Sequence, residues 1–289
     1  MNKKQLIALI KLSRPFVLVA GLIAYALGLA IAFYYQGYLD ISESLIGLFI
    51  LISATFMAHY ANEYADVDTD TITQRTLYSG GSGILPSGIV PPEWALYSAI
   101  LLAIITIIFT IISYNFDLLP VQGVIIVILG MLGGWFYSMP PLRLERTVLG
   151  EIDNALLGGY LMPLIAFIPQ IGYVNLEVFL ILTPIFLAVF INLLAVHWAD
   201  RKADAMVGKN TMAVQLGSYT KYVHGIFTLL IYAITLLLIN IIPITVVITI
   251  FSTLPLAFWA IHTFNKKPQF SVFLMAGIMI FASIGFLIA

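Results

Sequence analysis

Eight long stretches of the sequence contain no aspartate, glutamate, lysine or arginine, and they limit the chain to few folds. A helix needs about 20 mainly apolar residues to cross a bilayer. Seven stretches have that length, and the eighth, at 222–265, suffices for two spans with Asn240 and Pro243 at a turn between them. The seven cover residues 15–39, 44–62, 94–116, 118–142, 154–176, 178–199 and 268–289. The sequence therefore predicts an all-α bundle of nine transmembrane helices, forming one domain over residues 1–289.

The amino-acid composition limits the possible binding partners and the possible catalytic groups. Hydrophobic residues make up 61% of the chain and charged residues 9%, whereas a soluble domain carries roughly a quarter as charges. Membrane lipids are therefore the expected surroundings. The net charge of −1 provides no basic field to attract nucleic acid. Because the chain has no cysteine, any catalysis must use carboxylates, amides, hydroxyls or nitrogen bases.

The basic residues predict the orientation of the bundle, since cytoplasmic loops of membrane proteins are enriched in lysine and arginine. With nine spans, all 13 basic residues fall on one side. We therefore expect a cytoplasmic N-terminus, an external C-terminus, a first apolar stretch retained as a helix, and a site at the cytoplasmic face of the plasma membrane. The 13 residues are Lys3, Lys4, Lys11, Arg14, Arg75, Arg143, Arg146, Arg201, Lys202, Lys209, Lys221, Lys266 and Lys267.

Two acidic clusters emerge on that side. In a continuous helix, Asn62, Asp66 and Asp70 would share one stripe about 6 Å apart per step, and Asp200 and Asp204 repeat the spacing after the sixth span. Two such carboxylates repel by about 3 kcal/mol at an effective dielectric constant of about 20. Mg²⁺ takes one or two carboxylates, waters and phosphate oxygens. Facing clusters could therefore hold two ions with a diphosphate between them.

Simpler interpretations of these residues stay open. The acids could be a solvated helix end or ion-pair partners of Arg75, Arg201 and Lys202. Lys209 could neutralise a diphosphate or only anchor the chain at the cytoplasmic face, and Tyr137 could be an interfacial aromatic residue. Two histidines beside the clusters, His59 and His197, receive no assigned role.

In combination, these motifs resemble the UbiA superfamily of intramembrane prenyltransferases. The family's order is matched by Arg14-Pro15, by Asn62, Asp66 and Asp70, by Tyr137-Ser-Met-Pro-Pro-Leu-Arg143, and by Asp200, Asp204 and Gly208-Lys-Asn-Thr211. The resemblance implies transfer of a prenyl group from a prenyl diphosphate to an aromatic, quinone-precursor acceptor or a lipid acceptor. It also implies a role in catalysis for the four aspartates and Tyr137. Two Mg²⁺ ions would be coordinated by Asn62, Asp66, Asp70, Asp200 and Asp204, and the diphosphate would be bound by Asn62, Arg75, Arg143 and Lys209.

The sequence also departs from the family pattern. Glu63 stands where an aspartate is commoner, and a glycine-rich run at 78–83 replaces an Arg-Pro pair. These glycines, with Gly150-Glu151 and Gly208-Lys-Asn-Thr-Met-Ala213, are similar to dihydroxynaphthoate prenyltransferases, although Val196-His197 stands where those enzymes tend to carry paired asparagines. The rival interpretation is a cation-coupled transporter, since ionisable residues in membranes often mark ion pathways. Transporters usually place such residues near the midplane on broken helices, whereas these acids lie at helix ends.

Overall fold

The computed structural model describes residues 2–71 and 81–289, except that the side chains of residues 68 and 69 are not described. In these ranges the chain is helical without strands, and nine segments are long and apolar enough to cross a membrane. The predicted all-α architecture and number of spans are confirmed. The segments are Leu18–Gln36, Ile41–Ala65, Pro92–Asn115, Val121–Ser138, Leu149–Ile171, Leu176–Met206, Met212–Leu237, Ile244–His262 and Gln269–Leu287.

Several spans contain more than one helical element. The α-helices are α1 (Lys3–Leu12), α2 (Leu18–Gln36), α3 (Ile41–Ala65), α4 (Val67–Asp70), α5 (Pro92–Asn115), α6 (Val121–Ser138), α7 (Leu149–Leu156), α8 (Met162–Ile171), α9 (Leu176–Met206), α10 (Met212–Leu216), α11 (Thr220–Leu237), α12 (Ile244–Phe251), α13 (Leu254–His262) and α14 (Gln269–Leu287). A π-helical turn at Leu157–Leu161 joins α7 to α8, and 3₁₀ turns occupy Leu144–Arg146 and Gly217–Tyr219.

Capped, tight turns form one end of the bundle. Asp40 accepts a hydrogen bond from the Glu43 N–H at 3.1 Å, and Asn175 accepts one from the Val178 N–H at 3.2 Å. Each bond satisfies a donor that the first turn of a helix leaves without an intrahelical partner. The predicted turn in the long eighth stretch lies between α11 and α12, and Pro243 immediately precedes α12. These short connections make successive spans antiparallel.

The opposite end carries the longer connections, and we call it the polar end. Because successive spans alternate in direction, every lysine and arginine of the described ranges lies in or close to these connections. The N-terminal segment adds α1, a short helix that the apolar pattern did not predict, and the Tyr60 hydroxyl on α3 donates to the Leu9 carbonyl at 2.9 Å. The side of the membrane that this end faces stays a prediction.

Helix α9 is the centre of the core and places the second acidic cluster at the polar end. In its most apolar 18-residue window, 72% of the residues are buried, more than in any other span of the described chain. Its packing neighbours include α7, α10, α11, α14 and the π-helical turn. Gly28 lets α2 approach α8 closely, because a Cβ there would overlap the Pro163 carbonyl oxygen. The last two turns of α9 carry Asp200 and Asp204.

Candidate active site

A cavity of about 610 Å³ extends from the polar end into the apolar interior. It is lined by parts of α2, α3, α6, α9 and α14 and by the π-helical turn. Of the nine predicted site residues, Arg143 is exposed on the surface and is not in the lining, and Arg75 lies outside the described residues. The cavity brings together the other seven, which are Asn62, Asp66, Asp70, Tyr137, Asp200, Asp204 and Lys209.

The first acidic cluster is interrupted at Asp66, so a continuous helix through Asp70 does not form. Helix α3 ends at Ala65, Asp66 has φ −96° and ψ 3°, and α4 follows. Acidic residues at the C-terminus of a helix oppose its macrodipole, which favours an end at this point. The helical spacing nevertheless persists, because the Asp66 N–H donates to the Asn62 carbonyl at 2.9 Å and the Asp70 N–H to the Asp66 carbonyl at 2.8 Å.

Asn62 connects the first cluster to a glutamate that the sequence analysis did not assign. Its Nδ2 lies 2.9 Å from Asp66 Oδ2, 2.8 Å from Ser138 Oγ and 3.0 Å from Glu145 Oε2. Glu145 is buried and belongs to the 3₁₀ turn after α6. Burial, followed by repulsion from Asp66, raises the pKa of Glu145 above its ordinary value. A third region of the chain thus adds a carboxyl group to the site.

Lys209 bridges these acids from the connection that follows α9. Its Nζ is 3.2 Å from Asp66 Oδ1 and 3.5 Å from Glu145 Oε1. The Asn210 N–H donates to the Arg146 carbonyl at 2.8 Å, which holds this connection against the 3₁₀ turn. Burial lowers the pKa of Lys209, but Glu145 and Asp66 outweigh burial, so that its pKa is raised. Lys209 is therefore a fixed positive charge among carboxylates.

Asp70 lies against the loop that follows the residues outside the described ranges. Gly81 has φ +63°, and a Cβ there would overlap the Asp70 carboxylate. Glycine permits both the left-handed backbone and this close approach. Burial, followed by repulsion from Asp66 and Glu63, raises the pKa of Asp70 to about 6. The loop therefore restricts access of water to one side of the first acidic cluster.

Glu63 anchors this loop, which explains the unusual residue after Asn62. Its side chain is only 1% exposed, and Oε1 accepts from Arg14 Nε at 2.5 Å and from the Ser82 N–H at 2.7 Å. Its Oε2 accepts from Ser82 Oγ at 2.6 Å. Arg14, which precedes α2, also lines the cavity. Glu63 therefore joins three segments of the polar end.

Replacing Glu63 by leucine should lower the free energy of unfolding by about 3 kcal/mol, because one partner of a buried ion pair is removed. Ser82→Ala should cost about 1 kcal/mol, since the backbone bond and the Arg14 pair remain. Thermal unfolding of purified protein in detergent measures both. Equal stability of Glu63→Leu and the unchanged protein would contradict an anchoring role.

The two histidines near the clusters have different partners. His59 Nδ1 lies 2.6 Å from the Ser13 carbonyl oxygen. His197 Nδ1 lies 2.9 Å from Oε1 of Glu151, a fully buried residue of α7.

No role was predicted from the sequence for Glu63, Glu145 and Glu151, although each is an acid beside or within an apolar segment. An acid in such a position in a membrane protein indicates a bound partner. This position was the sequence feature that could have identified the three glutamates.

The donor set at the mouth of the cavity fits hard divalent cations. Among the described residues that line it, five carboxylates (Asp66, Asp70, Glu145, Asp200 and Asp204) accompany the bases Lys209 and Arg14, and Arg14 is paired with Glu63. No three acidic or histidine side chains in the described ranges form a ready-made metal cage. Mg²⁺ suits this arrangement, because it usually keeps several waters and binds substrate phosphates alongside one or two carboxylates.

Below the acids the lining becomes apolar. Ile50 and Ala54 from α3, Val127 from α6, Leu161 from the π-helical turn and Met279 from α14 belong to this part. An apolar wall binds hydrocarbon and excludes water. The cavity therefore combines a charged mouth with an interior suited to a hydrocarbon chain.

Comparisons with known proteins identify one protein family. The model of the UbiA prenyltransferase family matches residues 21–284. The chain is 27% identical over 211 residues to 1,4-dihydroxy-2-naphthoate octaprenyltransferase of Bacillus subtilis, a match that spans 72% of this chain and 65% of that protein, just under two thirds of its length. It is 25% identical over 267 residues to UbiA prenyltransferase domain-containing protein 1 of Gallus gallus, covering 89% and 77% of the two chains.

Solved structures share the fold. A structure of digeranylgeranylglyceryl phosphate synthase matches with a TM-score of 0.74 over 99% of both chains at 17% identity. A UbiA homologue from Archaeoglobus fulgidus bound to GPP and Mg²⁺ matches with a TM-score of 0.68 over 98% of this chain and 100% of the other at 13% identity.

Proposed function

Because the chain belongs to the UbiA prenyltransferase family, we propose that it transfers a prenyl group from a prenyl diphosphate to an acceptor within the membrane and releases diphosphate. The acceptor is an aromatic quinone precursor or a lipid. The observation that supports this most strongly is the convergence of two acidic clusters and Lys209 at the mouth of an apolar cavity. Residues 1–289 act as one domain in this proposal, in the plasma membrane with the site on the cytoplasmic side.

The diphosphate binds at the polar end. Asp66, Asp70, Asp200 and Asp204, with the Asn62 side chain, would hold two Mg²⁺ ions, and Lys209 would contact the diphosphate oxygens directly. When bound, the ions supply positive charge to the diphosphate as its bond to the prenyl carbon breaks. The homologue from Archaeoglobus fulgidus that was solved with GPP and Mg²⁺ supports this choice of donor and metal.

The apolar interior protects the reactive prenyl group. Departure of diphosphate leaves positive charge on an allylic carbon, and water would capture such a cation. The hydrocarbon walls exclude water until an electron-rich acceptor attacks. Tyr137 lines the same cavity and would orient a substrate. The naphthoate prenyltransferase named among the relatives supports an aromatic acceptor.

Metal removal tests this proposal directly. Purified protein should release diphosphate from geranyl diphosphate with 1,4-dihydroxy-2-naphthoate or a glyceryl ether acceptor, and EDTA should abolish release because the clustered acids then lack their counter-charge. Excess Mg²⁺ should restore the rate, and mass spectrometry should identify a prenylated product. Metal-independent transfer would contradict the proposal, and solute uptake by sealed vesicles without a prenyl donor would favour the transporter alternative.

A further inference from the structure

We propose that His197 binds a hydroxyl group of the prenyl acceptor through Nε2, and that Glu151 is the positioning residue that fixes the imidazole for this contact. The inference rests on the proposed prenyl transfer and adds the chemical class of the acceptor, a molecule that presents an O–H donor near its reacting atom. The hydroxyl can belong to an aromatic ring or to a glycerol backbone.

Three helices meet at the Glu151 carboxylate. Its Oε1 is 2.9 Å from His197 Nδ1 on α9 and accepts a hydrogen bond from the Met212 N–H, the first residue of α10, at 2.8 Å. Glu151 itself is on α7 and is fully buried. His197 is 13% exposed and lines the cavity. The pair thus joins the wall of the cavity to the protein interior.

This geometry assigns the roles of the two imidazole nitrogens. An ionised carboxylate can only accept hydrogen bonds, so Nδ1 must carry the proton that lies between His197 and Glu151. In a neutral imidazole, Nε2 is then the acceptor. The described part of the chain offers Nε2 no hydrogen-bond partner. Because Nδ1 is engaged by the buried Glu151, Nε2 is the ring nitrogen left for the cavity that His197 lines, and in the neutral imidazole it suits an O–H donor from a bound molecule.

The burial of Glu151 also favours a functional role over a structural one. A carboxylate removed from water is costly unless all its oxygens are paired. Its Oε2 is buried and has no partner among the described residues. A packing contact between α7 and α9 would be more stable with an apolar side chain. The cost is explained if the carboxylate holds the imidazole in a single tautomer and orientation.

A second polar side chain of α9 extends the same wall. Asn192 lines the cavity about 8 Å further from the polar end than His197, given the rise of an α-helix. Its Oδ1 is buried without a partner in the described ranges. Native proteins seldom leave such a group unpaired. An acceptor with more than one polar substituent fits a wall that presents both side chains.

Steady-state kinetics of the full-length protein with Mg²⁺ and geranyl diphosphate would test this role. Two acceptor probes, 1,4-dihydroxy-2-naphthoate and a glyceryl ether phosphate, distinguish the two sources of the hydroxyl. His197→Phe and Glu151→Leu should each raise the KM for the accepted probe about tenfold, the effect of losing one hydrogen bond in a water-poor site. The KM for geranyl diphosphate should stay within about twofold. Glu151→Gln should recover most of the loss, because its amide oxygen can still accept both bonds.

A methylated ligand makes the test independent of folding defects. As an inhibitor of the unchanged protein, the dimethyl ether of 1,4-dihydroxy-2-naphthoate should bind about tenfold more weakly than a competitor that keeps its hydroxyl groups. In His197→Phe the two inhibitors should bind equally well. Tyr160→Phe is the matched control, because Tyr160 Oη bonds Thr183 Oγ1 between the same two spans at 3.1 Å outside the cavity lining. This variant should keep the acceptor KM of the unchanged protein.

The outcomes separate the inference from the function on which it rests. An acceptor KM that is unchanged in His197→Phe, or a donor KM that rises equally, would overturn the role of His197 while prenyl transfer stands. Unchanged protein that binds geranyl diphosphate but prenylates neither hydroxylated probe would overturn the proposed function and this inference with it.

Discussion

Asp66→Ala and Asp200→Ala should each lower kcat for prenyl transfer about 1,000-fold, a loss of about 4 kcal/mol of transition-state stabilisation. Each substitution removes a carboxylate from one of the two clusters that line the cavity mouth. Because the proposed metal ions are shared between protein and diphosphate, loss of either cluster should disrupt the whole arrangement. Diphosphate release and formation of labelled product measure the effect.

Glu93→Ala is the control for loss of an acidic side chain. Glu93 is exposed in the first turn of α5, at the polar end but outside the cavity lining. Its activity should match that of the unchanged protein. Asp66→Ala or Asp200→Ala protein that folds and keeps full activity would refute the metal-binding role of that cluster.

Lys209→Ala should have the second largest effect, a rise of about 100-fold in the KM for the prenyl diphosphate. Lys209 is largely buried and lies 3.2 Å from Asp66, so its charge acts in a water-poor environment. Hydrogen bonds to charged groups contribute about 1.5–3 kcal/mol, and the upper part of that range corresponds to this change. Lys209→Arg should recover part of the loss, since the positive charge is kept but the shape differs.

Lys202→Ala is the matched control for the loss of a lysine side chain. Lys202 lies on α9 near the second cluster, but its side chain is exposed and is not part of the cavity lining. Its donor KM should stay within about twofold of that of the unchanged protein. If both lysine variants raised the donor KM equally, general electrostatic attraction at the polar end would explain the result better than direct contact by Lys209.

The apolar pattern was sufficient to predict the spans because a bilayer allows few alternatives. Any segment of about 20 apolar residues must satisfy its backbone internally, which requires a helix. The turn at Pro243 and the nine spans follow from this constraint alone. The short helix α1 was missed because it is amphipathic and carries three lysines, so it lies outside any rule based on uninterrupted apolar length.

The contacts between clusters could not be predicted from spacing. Lys209 meets Asp66 across a separation of 143 residues, and Glu145 meets Asn62 only because a 3₁₀ turn follows α6. Glu63 was interpreted as a departure from a motif, whereas the structure pairs it with Arg14. Such pairs depend on tertiary packing, on which helical periodicity carries no information.

The cavity lining does not include Arg143, one of the two arginines assigned by resemblance. Arg143 has φ +45° and an exposed side chain outside the cavity lining, so the geometry gives no direct support for contact with a diphosphate. Arg75 lies outside the described residues. Their proposed contacts with the diphosphate stay predictions from sequence alone.

Mn²⁺ binding measured by electron paramagnetic resonance, with and without an unreactive thio analogue of geranyl diphosphate, addresses the central claim directly. With the analogue present, we expect two Mn²⁺ ions per chain with hyperfine coupling to phosphorus, and we expect Asp66→Ala and Asp200→Ala each to abolish this signal. Tight Mn²⁺ binding that lacks phosphorus coupling, or that survives both substitutions, would show that the acidic clusters do not hold metal around the diphosphate.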